Sequence, residues 1–328
     1  MRRRMIAAGM TAIAGAAAGL AAAPAVAQQP PWPARQIRMI IAFPPGGPTD
    51  IVSRVLASRL TEQLGQSVFV DNKPGAGGNI AAEMVAKAPP DGYTIFYNTS
   101  AITIAPALYG KVPYDTLKDF EPVSSTAAVP MVVMVHPSVP VKTIAELIAH
   151  ARANPDKLNY ASSGTGTITH LATAALNAHA GITMQHVPYK GSAPGLADLA
   201  GGNVQVMTDT INSALPFIRD GRVRALAVTT IKRSSVLPEL PTLHETAMPG
   251  MEMSAWQGVV APAGTPRPII ERLNAEILKA LQSAEVKSRL AAQGTEILGS
   301  TPQAYADYIR SELTRWSKIV RETGAKAE

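Results

Sequence analysis

Apolar residues along this chain follow two periods in turn. The stretch at 37–42, apolar except for Arg38 and rich in isoleucine, reads as a buried strand. After it, Ile51, Val52, Val55, Leu56, Leu60 and Leu64 recur at helical spacing and make one face of a helix over 49–64. A strand at 68–70, a helix at 79–88 and a strand at 93–97 follow. The order β-α-β-α-β predicts a parallel sheet with helices on its faces. The same grammar restarts with strands at 131–135, 158–161, 184–187, 204–207 and 225–229. Helices over 143–153, 167–180, 194–200 and 213–220 alternate with them. Beyond a strand at 255–261 the pattern is helical, at 268–282, 284–292 and 303–323. Two similar αβ units in series predict two lobes rather than one long sheet.

The first residues obey a different rule. Arg2, Arg3 and Arg4 precede an Ala/Gly-rich apolar stretch that ends in Ala25-Val26-Ala27, and no further charge occurs before Arg35. This is the charged, apolar and small-residue pattern of a secretory signal, with cleavage expected after Ala27. The competing reading is a membrane anchor, which alanine and glycine serve poorly because they bury little apolar area. Arg2-Arg3 fits either the general or the twin-arginine export route. Cleavage leaves 301 of the 328 residues, with 27 Lys and Arg against 24 Asp and Glu. That balance, without a basic block interleaved with aromatics, argues against nucleic acid as a partner. Cysteine is absent, which removes disulfides, thiolate metal sites and cysteine nucleophiles together.

Two loops carry the candidate chemistry, each between a strand's C-terminal end and a helix start. The first runs Phe43-Pro44-Pro45-Gly46-Gly47-Pro48-Thr49-Asp50. Its prolines lack N–H groups, so the expected donors are the amides of Gly46, Gly47, Thr49 and Asp50, clustered at the positive end of the next helix. Its glycines let the backbone turn freely, and Gly47 is expected to be a position that a branched side chain would disrupt. The plainer reading is a stiff turn with Thr49 or Asp50 as an N-cap. Asp50 would repel an anion directly; capping its own helix, holding a water and meeting a ligand ammonium are all open to it. The second loop, Ser162-Ser163-Gly164-Thr165-Gly166-Thr167, offers hydroxyls and open amides without formal charge. A Ser/Thr-capped turn is its plainer reading. One loop comes from each αβ unit, so closing two lobes would bring two helix N-termini to one ligand.

Searches for catalytic and cofactor motifs return nothing. Gly75-Ala76-Gly77-Gly78 lacks the Lys-Ser/Thr of a phosphate-binding P-loop, and Gly164-Thr165-Gly166 has Thr169 where a dinucleotide motif needs glycine. No G-x-S-x-G elbow occurs, and the six histidines show no metal-ligand spacing. His179 and His186 read as surface or satisfied core residues, and His170 as a group that could orient a loop hydroxyl. The chain is therefore expected to be a binder without cofactor, metal or catalytic residues. The alternative from another class is an α/β enzyme using Ser163 with His170.

The loop 43–50, then Asn72-Lys73-Pro74-Gly75-Ala76-Gly77-Gly78-Asn79-Ile80-Ala81, then Asp91-Gly92-Tyr93-Thr94 resemble the Bug proteins, substrate-binding components of tripartite tricarboxylate transporters. Val187-Pro188-Tyr189-Lys190-Gly191 and Arg224-Ala225-Leu226-Ala227-Val228-Thr229 extend the resemblance over essentially the whole exported chain. It implies a type II periplasmic-binding-protein-like α/β fold, each lobe a mainly parallel sheet with flanking helices and a cleft between them. The implied lobes are 28–124 with 229–328, and 125–228. It also implies a small carboxylate ligand, membrane transporter subunits as partners, and a membrane sensor as a further possible one. Carried over by motif, the ligand-binding positions are Phe43, Gly46, Gly47, Thr49 and Asp50; Asn98, Thr99 and Ser100; Ser163, Gly164, Thr165, Gly166 and Thr167; Tyr189, Lys190 and Gly191; and Asp209. Asn98-Thr99-Ser100 is more polar than the small-residue version common in the family, which bears on ligand identity rather than on fold.

Overall fold

The computed structural model describes residues 32–326; the expected signal segment and the expected cleavage after Ala27 lie outside them. In chain order the elements begin β1 (Ile37–Ile41), α1 (Pro48–Leu64), β2 (Val68–Asn72), α2 (Asn79–Ala86), β3 (Thr94–Thr99), α3 (Ala101–Tyr109) and β4 (Phe120–Val135). There follow α4 (Ile144–Ala153), β5 (Asn159–Ser162), α5 (Ile168–Ala180), β6 (Gln185–Pro188), α6 (Ser192–Ala200), β7 (Val206–Thr210), α7 (Ile211–Arg219) and β8 (Arg224–Val228). The chain ends with α8 (Leu243–Thr246), β9 (Ser254–Pro262), α9 (Arg267–Gln282), α10 (Ala284–Ala291), β10 (Glu296–Ile297) and α11 (Pro302–Thr323).

Both αβ units are present. Strand β1 pairs in parallel with β2 and β3, and β5 pairs in parallel with β6 and β7. The sheets are nonetheless mixed rather than mainly parallel, because β4, β8, β9 and β10 join them antiparallel. Strand β4 serves both lobes. Its residues 120–130 pair with β9, whereas 131–135 pair with β7 and β8.

The period-2 pattern of β1 explains the layering. Met39 and Ile41 face a core shared with Leu56 and Leu60 of α1 and with Ile270, Leu273 and Ile277 of α9. Ile40, on the other face, packs with Ala82 of α2 and Ile309 of α11. In the second lobe Val133 and Val135 face Leu147, Leu171 and Leu176, while Val132 and Met134 face Leu196, Leu199 and Leu215. Helix α11 reaches across both lobes: Tyr305 and Ile309 belong to the first core, Trp316 and Val320 to the second. Buried Glu312 stitches it down, accepting from the indoles of Trp256 and Trp316, each at 2.8 Å. No helix among the described residues is long and apolar enough to cross a membrane.

Two elements escape the sequence pattern. Helix α3 contains β-branched residues and Pro106, which lower helix propensity, and it is held by burial of Ile102 and Ile104. The first part of β4 contains Pro122 and Pro130, and its pairing with β9 is irregular between Pro122 and Ser124 and again between Ser125 and Ala127. Proline enters a strand where a bulge or edge excuses the missing donor.

Candidate functional site

Between the lobes lies a cleft, and five helices begin at its wall. Pro48 and Thr49 open α1, Ala101 opens α3, Ile168 and Thr169 open α5, and Ser192, Ala193 and Pro194 open α6; Thr210 precedes α7. Each of these N-termini leaves backbone N–H groups without an intrahelical acceptor. Side chains usually supply one, and here α4, α8, α10 and α11 are capped by Thr143, Thr242, Ser283 and Thr301. None of the five cleft helices has a side-chain cap. Helices α2 and α9 lack one too, so what distinguishes the five is that they meet. Their amides and dipoles converge on one cleft, an arrangement suited to an anion.

The first loop is held from behind. Gly47, not Thr49 or Asp50, is the N-cap of α1, and Pro48 follows it. Asp50 is buried and points away from the cleft: Oδ2 accepts from the Gly46 N–H at 3.0 Å and Arg54 Nε at 2.9 Å, and Oδ1 accepts from Asn72 Nδ2 at 3.0 Å. Burial pushes its pKa up, but the hydrogen bonds from Arg54, Gly46 and Asn72 outweigh this and hold it below the ordinary value. The Gly46 amide is thus already used, and Gly46 does not line the cleft. Gly46 also carries the left-handed backbone, with φ +82°, whereas Gly47 is extended at φ −82°. Gly47 therefore has no positive φ for a branched side chain to disfavour, and that part of the expectation falls to Gly46 instead.

The second loop is organised by its own hydroxyls. Ser163 Oγ lies 2.8 Å from Thr169 Oγ1, Thr167 Oγ1 lies 2.9 Å from it, and Thr167 Oγ1 donates to the Gly164 carbonyl at 2.7 Å. Ser163, Thr167 and Thr169 line the cleft. His170 does not orient a loop hydroxyl: its Nδ1 accepts from the Gly166 N–H at 3.4 Å, and its ring stacks on His186 at 4.0 Å. Burial holds both imidazoles below the ordinary histidine pKa, with their mutual repulsion adding to this at His186, which shares a hydrogen bond with Ser162 Oγ at 2.7 Å. Ser163 is thus engaged with threonine hydroxyls rather than with His170.

Of the other sequence-predicted positions, Phe43, Gly47, Thr99, Ser100, Lys190, Gly191 and Asp209 line the same cleft. Asn98 does not; it is fully buried, and its side chain exchanges hydrogen bonds with the Tyr305 hydroxyl. Gly164, Thr165 and Tyr189 line an adjoining cavity with residues 75–78, and the Tyr189 hydroxyl donates to Asp198 at 2.7 Å. Gly166 lines neither, being pressed against Leu108 and Tyr109. The two lobes touch around that adjoining cavity. Tyr109 Oη donates to the Thr165 carbonyl at 2.9 Å, and a Cβ on Gly77 would lie 2.6 Å from the same oxygen.

Sequence reasoning missed Ser192, Thr169, Thr210 and Gln257 in the lining. The first three stand at or beside helix starts, where a search for every strand-to-helix junction would have found them. Gln257 sits within β9 with Oε1 accepting from the Tyr97 hydroxyl at 2.9 Å, and carries no local signal.

Residues 52–325 match the family model described as the tripartite tricarboxylate transporter family receptor. The chain is 44% identical over 292 residues to the UPF0065 protein in the tcbD–tcbE intergenic region of Pseudomonas sp. (strain P51), covering 89% of this chain and 87% of that protein. It resembles the structure of R. palustris Rpa4515 with adipate at TM-score 0.87 and 40% identity, over 90% of this chain and 99% of that one. MatC (Rpa3494) from Rhodopseudomonas palustris with bound malate matches at TM-score 0.84 and 34% identity, over 88% of this chain and all (100%) of the other. The chain belongs to the tripartite tricarboxylate transporter receptor family, the Bug proteins: periplasmic solute-binding proteins of two-lobed α/β fold, not enzymes.

Proposed function

We propose that this protein captures a small carboxylate-bearing solute in the interlobe cleft and delivers it to the membrane subunits of a tripartite transporter. The observation that carries this reading is the convergence on one cleft of five helix N-termini without side-chain caps. The Ala101 N–H of α3 meets Thr99 Oγ1 at 3.3 Å, but the other four forgo about 1 kcal/mol of capping energy each, which a ligand carboxylate can return as charge-assisted hydrogen bonds. The ligand positions in this reading are Gly47 and Thr49 on one lobe, Thr99 and Ser100 beside them, and Ser163, Thr167, Lys190, Gly191 and Asp209 on the other. Adipate and malate, bound by the two similar proteins, mark the size of acid to be expected.

The lobes in this reading are 28–124 with 229–328, and 125–228, with β4 as one crossing between them. A ligand shifts the open–closed balance only through its differential affinity, and moving it from 1:99 to 99:1 takes about 5.5 kcal/mol. Export precedes all of this, through a signal removed after Ala27. The test is native mass spectrometry of protein purified from the periplasm, followed by calorimetry of ligand-stripped protein with adipate and malate as first probes. A bound small acid recovered unaltered, at one per chain, is the expected result. A co-purifying ligand without a carboxylate, or one chemically turned over, would overturn the reading.

A further inference from the structure

The cleft is lined by two charged side chains in opposite circumstances. Lys190 is exposed at its rim. Asp209 is fully buried at its wall, near the end of β7. Its Oδ1 is saturated by neutral donors: Ser192 Oγ at 2.9 Å, the Thr210 N–H at 2.6 Å and Thr210 Oγ1 at 3.0 Å. Its Oδ2 is buried without a hydrogen-bond partner among the described residues. Across the sheet its register partner on β4 is the aliphatic Val132. An ionised carboxylate in such surroundings is costly unless a donor, best a positive one, meets the remaining oxygen. Burial pushes the pKa up to about 6, so the group still ionises at neutral pH.

We propose that Asp209 selects ligands carrying an ammonium group, which donates to Oδ2 while the ligand carboxylate lies on the helix N-termini. The substrate class is then amino acids in the broad sense rather than plain di- or tricarboxylates. This rests on the carboxylate reading of the cleft and sharpens it. A plain dicarboxylate placed there would confront Asp209 with a like charge and would have to bind together with a proton. An amino acid brings its own counter-charge.

The experiment compares matched pairs differing only in the amine: aspartate with succinate, glutamate with glutarate, phenylalanine with 3-phenylpropionate. Ligand-stripped protein is titrated calorimetrically at pH 7.5, as the parent and as Asp209→Asn. The asparagine keeps the Oδ1 acceptor and the side-chain volume, and melting curves verify its fold. In any pair that binds, the ammonium member should be tighter by at least about tenfold, the scale of one charge-assisted hydrogen bond. Asp209→Asn should erase that preference by weakening the ammonium member of each pair more than the plain acid. A plain acid preferred by the parent protein, or a variant that weakens both members alike, overturns the proposal. So does a co-purifying acid that lacks nitrogen, which leaves the carboxylate reading standing. Failure of every member of every pair to bind counts against the carboxylate reading itself and removes the proposal with it.

Discussion

Replacing Asp50 with alanine tests whether the first loop is shaped from behind. The side chain is 6% exposed and serves the Gly46 amide, Asn72 and Arg54 together. Gly46 is exposed, so its freed N–H can turn to water, and Asn72 Nδ2 keeps the Phe43 carbonyl at 2.9 Å. Those two losses amount to about 1 kcal/mol each. Arg54 is 51% exposed and can rehydrate, so its pair contributes about 1 kcal/mol more, after discounting for solvent. The sum, about 3 kcal/mol, should lower the melting temperature by roughly 5–8 °C in a chain of this size. Affinity should fall as well, because Gly47 and Thr49 are held in place through this carboxylate. The pH dependence has a definite sign. The folded pKa is depressed below 3.8, so the contribution is whole above about pH 4 and is lost as pH falls through the folded value. The melting temperatures of parent and Asp50→Ala should therefore approach one another as pH falls below about 4 toward the folded pKa. A variant that melts with the parent at pH 7 and binds as tightly would show that the loop does not depend on Asp50.

Three other outcomes follow from the same geometry. Gly46→Ala should cost about 1–2 kcal/mol from its left-handed backbone, whereas Gly47→Ala, whose Cβ would meet nothing nearer than the Pro44 carbonyl at 3.7 Å, should melt like the parent; equal losses in chemical denaturation would contradict the assignment. Tyr109→Phe removes the interlobe hydrogen bond to Thr165 and should weaken binding by roughly twofold to tenfold, with less compaction in small-angle scattering; unchanged affinity would mean that this contact is absent from the bound form. N-terminal sequencing of periplasmic protein should begin at Gln28, and a retained Met1 on membrane-bound protein would make the leading segment an anchor.

How far the chain is legible without its fold depends on whether a signal is local. The strand at 37–42 and the helix at 49–64 were readable because burial on one face imposes a period, and neighbours in sequence are enough to reveal it. The two loops were readable for a related reason: a strand end followed by glycine and a helix start is a local event that places amides at a helix terminus. Helix α3 and the first half of β4 were not readable, since burial and pairing to β9 override poor propensity there, and those partners lie far away in sequence. The orientation of each loop side chain was likewise decided only in three dimensions. Asp50 turns to Arg54 and Asn72, and Asn98 to Tyr305, 207 residues distant, while Asp209 keeps one oxygen unpaired at the cleft. Composition and order along the chain determine that helix N-termini face a common cleft. Which donors remain open for a ligand depends on which are consumed by distant partners, and that is settled only when the lobes are assembled.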